Sequence, residues 1–223
     1  LWMAAQEGQD GVVKALIKCG CDVTKADNHG VTPLWIAAVG GHDEVVEELV
    51  KGGCDIDKAV PADESHALET MRDGGKPLFV AAAKGHLKVV EALVEGGCAM
   101  NTAEVDGRTP LFIAAYFGYA EVVEALIKGG WEEEKDDESG DGGANSLYVA
   151  AQEGHVEVVK SLLKSCYKGG FDMDRAVSDG RTTLQVAADN GHTEVVKVLL
   201  QDRLEQEQRN MLAMALGLHR RLG

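Results

Sequence analysis

Apolar side chains recur along this chain at helical spacing, in short segments that end at glycine. In TPLWIAAVGG (32–41), Leu34, Ala37 and Ala38 fall on one helical face before the pattern closes. A second segment, DEVVEELVKGG (43–53), has the same period and also ends at glycine. The pattern predicts two short helices joined by a glycine break.

The ends of these segments carry helix start signals. Thr32 suits the N-cap of the first helix, and Pro33 suits its first position, where the missing N–H has no partner to lose. Asp43 and Glu44 place negative charge at the N-terminus of the second helix, which the helix dipole favours. Small alanines on the first helix allow the second helix to pack closely against it.

This two-helix unit recurs six times. An Ala-Ala pair is followed by glycine and then by Val-Val, and the first alanines are Ala4, Ala37, Ala81, Ala114, Ala150 and Ala187. The spacings are therefore 33, 44, 33, 36 and 37 residues, which describe one unit with insertions between units. A fixed period of this length is typical of a solenoid, in which neighbours complete the core of each unit.

Two segments carry a resemblance to a known family. TPLWIAAVGGHDEVVEELVKGGCDID (32–57) and TPLFIAAYFGYAEVVEALIKGG (109–130) resemble ankyrin repeats, whose pattern is G-x-TPLHxAA-x-x-GHxEVVxxLLxxGAD(V/I)N. The resemblance implies an all-α fold, an ankyrin-repeat solenoid of stacked helix-turn-helix units with projecting hairpin loops. It also implies a concave surface made by those loops and the first helices.

The solenoid is expected to fill residues 1–202, and a terminal capping helix is expected over 203–223. The repeats are bounded at about 1–27, 28–60, 75–105, 106–138, 143–177 and 179–202, with insertions near 60–74, 131–142 and 166–171. The first insertion has the composition of a short helix. The second is strongly acidic, which is typical of a solvated loop; the alternative is a contact for a basic partner segment.

The chain departs from the family pattern at two positions of the unit. The histidine after TPL is replaced by an aromatic residue in five units, which we name the aromatic column: Trp2, Trp35, Phe79, Phe112 and Tyr148. These rings either pack between repeats or form a partly exposed binding stripe. The Thr-Pro pair also weakens in the third, fifth and sixth units, where the sequence leaves the helix starts open.

Histidines recur just after the glycine that ends the first helix. They form the histidine column: His42, His86, His155 and His192. Equivalent residues of neighbouring repeats stand a helix packing distance apart, about 8–10 Å, which is too far for several of them to share one zinc ion. The column is therefore expected to hydrogen-bond backbone groups between repeats.

Cysteines share another repeat position, at Cys21, Cys54 and Cys98. The same spacing argues against disulfides between neighbouring repeats, so we expect small, buried, unpaired side chains. An odd total of five cysteines, with no Asn-x-Ser/Thr acceptor, favours a cytoplasmic, reducing location.

Composition narrows the classes of function. With 45% hydrophobic and 26% charged residues the chain is expected to be a soluble globular protein, and its apolar runs are too short to cross a bilayer. A formal charge of −15 disfavours nucleic acid and anionic lipid as partners. The sequence also holds no catalytic or nucleotide-binding motif in a plausible context, so we expect no enzyme activity, no cofactor and no metal.

Tyr116 and Phe117 are the sharpest candidates for a binding surface. Other repeats place polar residues at these positions, such as Gln152 and Glu153. Two aromatics at such positions suggest an exposed anchor near the middle of the concave face. The alternative is local packing beneath the acidic insertion.

We therefore expect a non-catalytic protein-binding scaffold, monomeric in isolation, within a larger intracellular protein. Its candidate contacts are loop tips and first-helix residues: Asn28, His29, Val31, Lys84, Asp106, Arg108, Tyr116, Phe117, Gln152, Glu153, Asp179 and Arg181. Two alternatives stay open. The chain is a structural subunit of a permanent complex, or it recruits substrate for an enzyme encoded elsewhere in the same protein.

Overall fold

A computed structural model of the chain describes residues 1–60, 75–104, 107–131, 145–165, 177 and 180–221, with the backbone alone at 210, 213 and 215–221. Twelve α-helices lie in these ranges, two to a repeat. They are α1 Trp2–Gln6, α2 Asp10–Lys18, α3 Pro33–Gly40, α4 Asp43–Lys51, α5 Pro77–Lys84, α6 Leu87–Glu95, α7 Pro110–Phe117, α8 Ala120–Lys128, α9 Ser146–Glu153, α10 Val156–Ser165, α11 Thr183–Asp189 and α12 Thr193–Arg221.

The helices form two layers that run the length of the stack. Each odd-numbered helix packs against the next odd-numbered helix and against its own partner, and each even-numbered helix packs against the next even-numbered one. The Ala-Ala pairs of the second to fifth repeats are fully buried between the layers, and the Val-Val pairs of the same repeats lie opposite them. The predicted all-α solenoid of stacked helix pairs is confirmed.

Local capping sets the start of each first helix. The hydroxyl of Thr32 accepts a hydrogen bond from the backbone N–H of Trp35, at 3.1 Å. Where the Thr-Pro pair is absent, another side chain caps the helix: Asn145 Oδ1 accepts a hydrogen bond from Tyr148 N at 2.8 Å. Thr182 forms a complete capping box with Gln185. The helix starts that the sequence left open in the fifth and sixth repeats therefore fall at the expected register.

Stacking supplies the burial that a single repeat lacks. Met3 in the first repeat is 65% exposed, whereas Ile36 at the same position of the second repeat is 4% exposed. At the other end Leu200 is exposed, whereas its equivalent Leu163 in the fifth repeat is buried. Each repeat thus completes the core of its neighbour, as expected for a solenoid.

The first insertion is closed at its base by backbone hydrogen bonds. Val60 N donates to Gly75 O at 3.0 Å, and Gly75 N donates to Val60 O at 2.8 Å. The two ends of the insertion are therefore held side by side. The helix predicted within this insertion, and the insertions near 131–142 and 166–171, lie outside the described residues.

Helix α12 begins in the sixth repeat and continues without a break from Thr193 to Arg221. The segment predicted as a capping helix over 203–223 is thus, as far as Arg221, an extension of the second helix of the last repeat. Its side chains at Leu204, Met211, Leu212 and Met214 are exposed. The boundary at 202 between solenoid and terminal helix stays a prediction.

Candidate protein-binding surface

The aromatic column lies inside the stack. Trp35, Phe79, Phe112 and Tyr148 are buried, and Trp2 in the first repeat is half-buried. Of the two interpretations of this column, packing between repeats is therefore correct for these four residues. They cannot form an exposed binding stripe.

The two tryptophans of the aromatic column also tie the first repeat to the second and the second to the third. The indole N–H of Trp2 donates to Val31 O at 3.1 Å, and that of Trp35 donates to Gly75 O at 3.0 Å. Val31 and Gly75 occupy the same repeat position, one residue before the Thr-Pro pair or its equivalent. The two bonds are therefore copies of one inter-repeat contact.

Two of the predicted loop contacts are engaged in this inter-repeat packing. The side chain of Val31 is fully buried, so its prediction as a partner contact is wrong: it packs under the loop as part of the core. Arg108, which stands at the same repeat position, is half-buried and places its guanidinium 5.9 Å from the centre of the Phe79 ring. A cation over an aromatic face contributes about 0.5–1 kcal/mol at a partly exposed site.

The histidine column binds backbone groups across repeats, as predicted. Each Nε2 lies within hydrogen-bond distance of a carbonyl of the preceding repeat. The pairs are His42 with Gln6 O at 3.0 Å, His86 with Val39 O at 3.0 Å, His155 with Tyr116 O at 2.9 Å and His192 with Gln152 O at 2.8 Å. The four carbonyls come from one repeat position, so each histidine fixes the end of the first helix before it.

Tyr119 takes the place of histidine in the fourth repeat. Its ring packs on Gly85 in the way that the ring of His155 packs on Gly118. A phenol ring in this position offers no N–H at the histidine site, so aromatic contact replaces a hydrogen bond at this interface. The substitution brings a third aromatic residue next to Tyr116 and Phe117.

Tyr116, Phe117 and Tyr119 form a connected group that we name the aromatic patch. Tyr116 is 40% exposed and Phe117 is 48% exposed. Their ring centres are 5.0 Å apart with the planes near perpendicular, and the rings of Phe117 and Tyr119 are 6.0 Å apart. Such edge-to-face and tilted pairs favour fixed ring positions. The predicted exposed pair thus exists and has a supporting neighbour.

The first-helix candidates lie on both sides of the patch. Lys84 and Glu153 are exposed, and Gln152 is half-buried, at the positions equivalent to Phe117 and Tyr116. Gln152 Nε2 donates to Glu153 Oε1 at 3.1 Å. The repeat geometry therefore brings these three candidates and the aromatic pair onto one face.

The loop candidates divide into three groups. Asn28 and His29 are exposed at the tip of the first loop. Arg181 is exposed and lies 3.9 Å from a carboxylate oxygen of Asp189. The predicted contacts Asp106 and Asp179 lie outside the described residues.

Sequence reasoning missed the residue that shapes the first loop. Asp27 Oδ1 accepts from His29 N at 2.9 Å and from Val31 N at 2.8 Å, and the turn closes at Gly30. This arrangement is an Asx turn, and the sequence DNHG was its signal. Asp27 therefore fixes the conformation of the loop tip.

The cysteines at this repeat position differ in burial. Cys98 is buried and Cys54 half-buried, but Cys21 is exposed, so the prediction of burial is wrong for Cys21. Burial raises the pKa of the Cys54 thiol to about 11 and that of Cys98 to about 12.

These pKa values predict selective labelling by a thiol reagent at pH 8. Only the thiolate reacts, and a pKa of about 11 or 12 leaves on the order of one thiol in a thousand or fewer as thiolate at that pH. Cys19 and Cys21 are exposed and are expected to react at least about tenfold faster. Timed alkylation with peptide mapping by mass spectrometry tests this, and equal rates for Cys21 and Cys98 would contradict the burial difference.

Within the part of the chain that the structure describes, no group of three or more histidine, cysteine or acidic residues could hold a metal ion. The helices of that part include none with the length and apolar character to span a bilayer.

The chain is similar to known ankyrin repeat proteins. A family model described as ankyrin repeats (3 copies) matches residues 1–60, 59–138 and 132–210. The crystal structure of an ankyrin repeat domain from Acinetobacter baumannii AYE superimposes with a TM-score of 0.75 at 25% sequence identity, over 90% of this chain and 96% of that one. No curated protein sequence matches at a significant level.

Proposed function

Because this chain belongs to the ankyrin repeat family, we propose that it is a non-catalytic module that binds a protein partner on the face around the aromatic patch. Ankyrin repeats are generally protein–protein interaction modules. Our proposal goes beyond this general role in two respects. It specifies the face that binds, and it makes the module a scaffold within a larger intracellular protein.

One observation carries the proposal: two aromatic side chains are exposed where the other repeats present smaller or polar ones. Exposed neighbouring aromatics are uncommon on a surface that has no partner, and they are enriched among residues that dominate binding energy. Tyr116 and Phe117 also lie in the fourth of six repeats, near the middle of the face. Central anchors are the best protected from water when a partner covers them.

The mechanism of binding is preorganisation. The backbone under the patch is held from the next repeat by His155, and the rings of Phe117 and Tyr119 are in contact. The patch therefore loses little conformational freedom when a partner docks, and less of the interaction energy goes into ordering this side of the interface.

Replacing Tyr116 and Phe117 together by alanine is expected to weaken partner capture at least about tenfold without unfolding the stack. Both side chains are substantially exposed, so their removal leaves no core cavity. The measurement is a quantitative pull-down with the wild type and the variant in parallel, with the circular dichroism melting curve as the check on folding.

A matched control removes two other exposed apolar side chains, Met211→Ala with Leu212→Ala on helix α12. This control is expected to capture partner as well as the wild type does. Capture that survives loss of the aromatic pair would refute the proposed anchor.

A second candidate function rests on helix α12. Its exposed Leu204, Met211, Leu212 and Met214 favour a structural subunit that packs permanently through this extension. Light scattering separates the two functions: the binding module is a monomer in isolation, and the subunit associates. If the chain is a structural subunit, the Met211→Ala, Leu212→Ala variant loses its partner, and the Tyr116→Ala, Phe117→Ala variant does not.

A further inference from the structure

Opposite charges flank the aromatic patch at one repeat position. The residue just before the glycine that ends each first helix is, from the first repeat to the sixth, Glu7, Gly40, Lys84, Phe117, Glu153 and Asn190. We name this set the glycine-adjacent column. Phe117 therefore has a lysine one repeat before it and a glutamate one repeat after it.

The register of the column is fixed by contacts between repeats. After each of the first five of these residues a glycine in the left-handed conformation receives the ring of the next repeat, as Gly85 receives Tyr119, Gly118 receives His155 and Gly154 receives His192. Equivalent residues are thus held one helix packing distance apart, about 8–10 Å. Lys84 and Glu153 are therefore expected about 8–10 Å from Phe117, one on either side.

Both charges are available to a partner. Lys84 is exposed and forms no ion pair within the described ranges, and Glu153 is exposed with a hydrogen bond only from the neutral amide of Gln152. An acidic group over Lys84 and a basic group over Glu153 would each gain an interaction. A partner with one sign of charge on both sides would be repelled at one of them.

The spacing also indicates the shape of the partner. A polyproline II segment rises about 3.1 Å per residue and completes a turn every three residues, so side chains three apart lie on one face about 9 Å from each other. This matches the repeat spacing. A β-strand does not, because the side chains on one face of a strand recur every second residue, about 7 Å apart.

We propose that the glycine-adjacent column binds a polyproline II segment of a partner protein that has an apolar side chain on Phe117, an acidic one on Lys84 and a basic one on Glu153. The three side chains are three residues apart along the segment. This inference rests on the proposed function and adds the chemistry of the partner to it. The directions acid-to-base and base-to-acid along the partner are equivalent, because the segment can lie either way.

Selection of random twelve-residue peptides displayed on phage tests the proposal. Peptides retained by the wild-type chain are expected to share an apolar residue with opposite charges three positions before and after it. The strongest of them, made synthetically, is expected to bind about three- to tenfold more weakly to Lys84→Glu, and more weakly still as salt concentration rises. Lys18→Glu is the matched control, since Lys18 is an exposed lysine at the end of α2, and it is expected to change little.

A complementary peptide makes the test specific to one charge pair. When the acidic residue of the peptide is changed to lysine, binding to the wild type falls and binding to Lys84→Glu recovers. No retained peptides, retained peptides without the charge pattern, or a pattern spaced seven residues apart, as a helix would require, would each overturn the inference.

The failure of this inference and that of the proposed function are distinguishable. Peptides that lack the charge pattern but are lost on the Tyr116 and Phe117 double alanine variant would leave the binding face in place and refute only the partner chemistry. Peptides retained equally by that variant would refute both.

Discussion

Replacing Trp35 by alanine is expected to lower the free energy of unfolding by about 3–5 kcal/mol, the range for large aromatic side chains removed from a core. Trp35 is the largest of the fully buried side chains in the described part of the chain. Its removal leaves a cavity between the second and third repeats and breaks the hydrogen bond to Gly75 O. Urea unfolding followed by circular dichroism measures the change.

The matched control is Trp2→Ala. Trp2 makes the equivalent bond to Val31 O, but it lies in the first repeat and is only half-buried. Its loss is expected to cost less than about 2 kcal/mol, since less apolar area leaves the core. Equal losses at the two positions would mean that burial between repeats is not the source of Trp35's contribution.

The sequence predicted the fold because its signals are local and agree with one another. Thr32 and Pro33 start a helix through contacts within one turn, and the constant offset from Ala-Ala to Val-Val fixes which faces meet. Asn145 and Thr182 cap their helices by the same chemistry as Thr32, although neither precedes a proline. A capping signal depends on one turn of backbone, so it can be recognised within a single repeat.

The features that the sequence could not predict depend on contacts between residues far apart in the chain. The aromatic column could not be placed by pattern alone, because the hydrogen-bond partner of Trp35 is the carbonyl of Gly75, forty residues later in the chain. Cys21 and Val31 were misplaced for a related reason. Cys21 is exposed although Cys98 at the same repeat position is buried, and the backbone of Val31 is bonded to both Trp2 and Asp27.

The exposure of Tyr116 and Phe117 was predictable because six repeats supply their own comparison. Pairs of polar residues at the equivalent positions of the first, fifth and sixth repeats indicate that these positions face solvent. The sequence predicted that His155 would form a hydrogen bond with a backbone group. That its acceptor is the carbonyl of Tyr116 itself required the structure.

Gly118→Ala is expected to destabilise the stack by about 2–3 kcal/mol more than Gly191→Ala. Both glycines have left-handed backbone, with φ of +79° and +76°, so both substitutions carry about 1–2 kcal/mol of conformational strain. Only at Gly118 does the added Cβ meet a neighbour, 2.6 Å from Nδ1 of His155. At Gly191 no atom lies within 4 Å.

The difference between the two variants therefore measures the contact between repeats. To relieve the clash, the His155 ring must move and lose its bond to Tyr116 O, which adds about 1 kcal/mol to the overpacking cost. Urea unfolding of both variants gives the two free energies. Because Tyr116 O anchors the backbone of the patch, Gly118→Ala is also expected to weaken partner capture at temperatures where the variant is folded, and Gly191→Ala is not. Equal stability losses would show that the ring does not press on the glycine, and the proposed preorganisation of the patch would lose its structural basis.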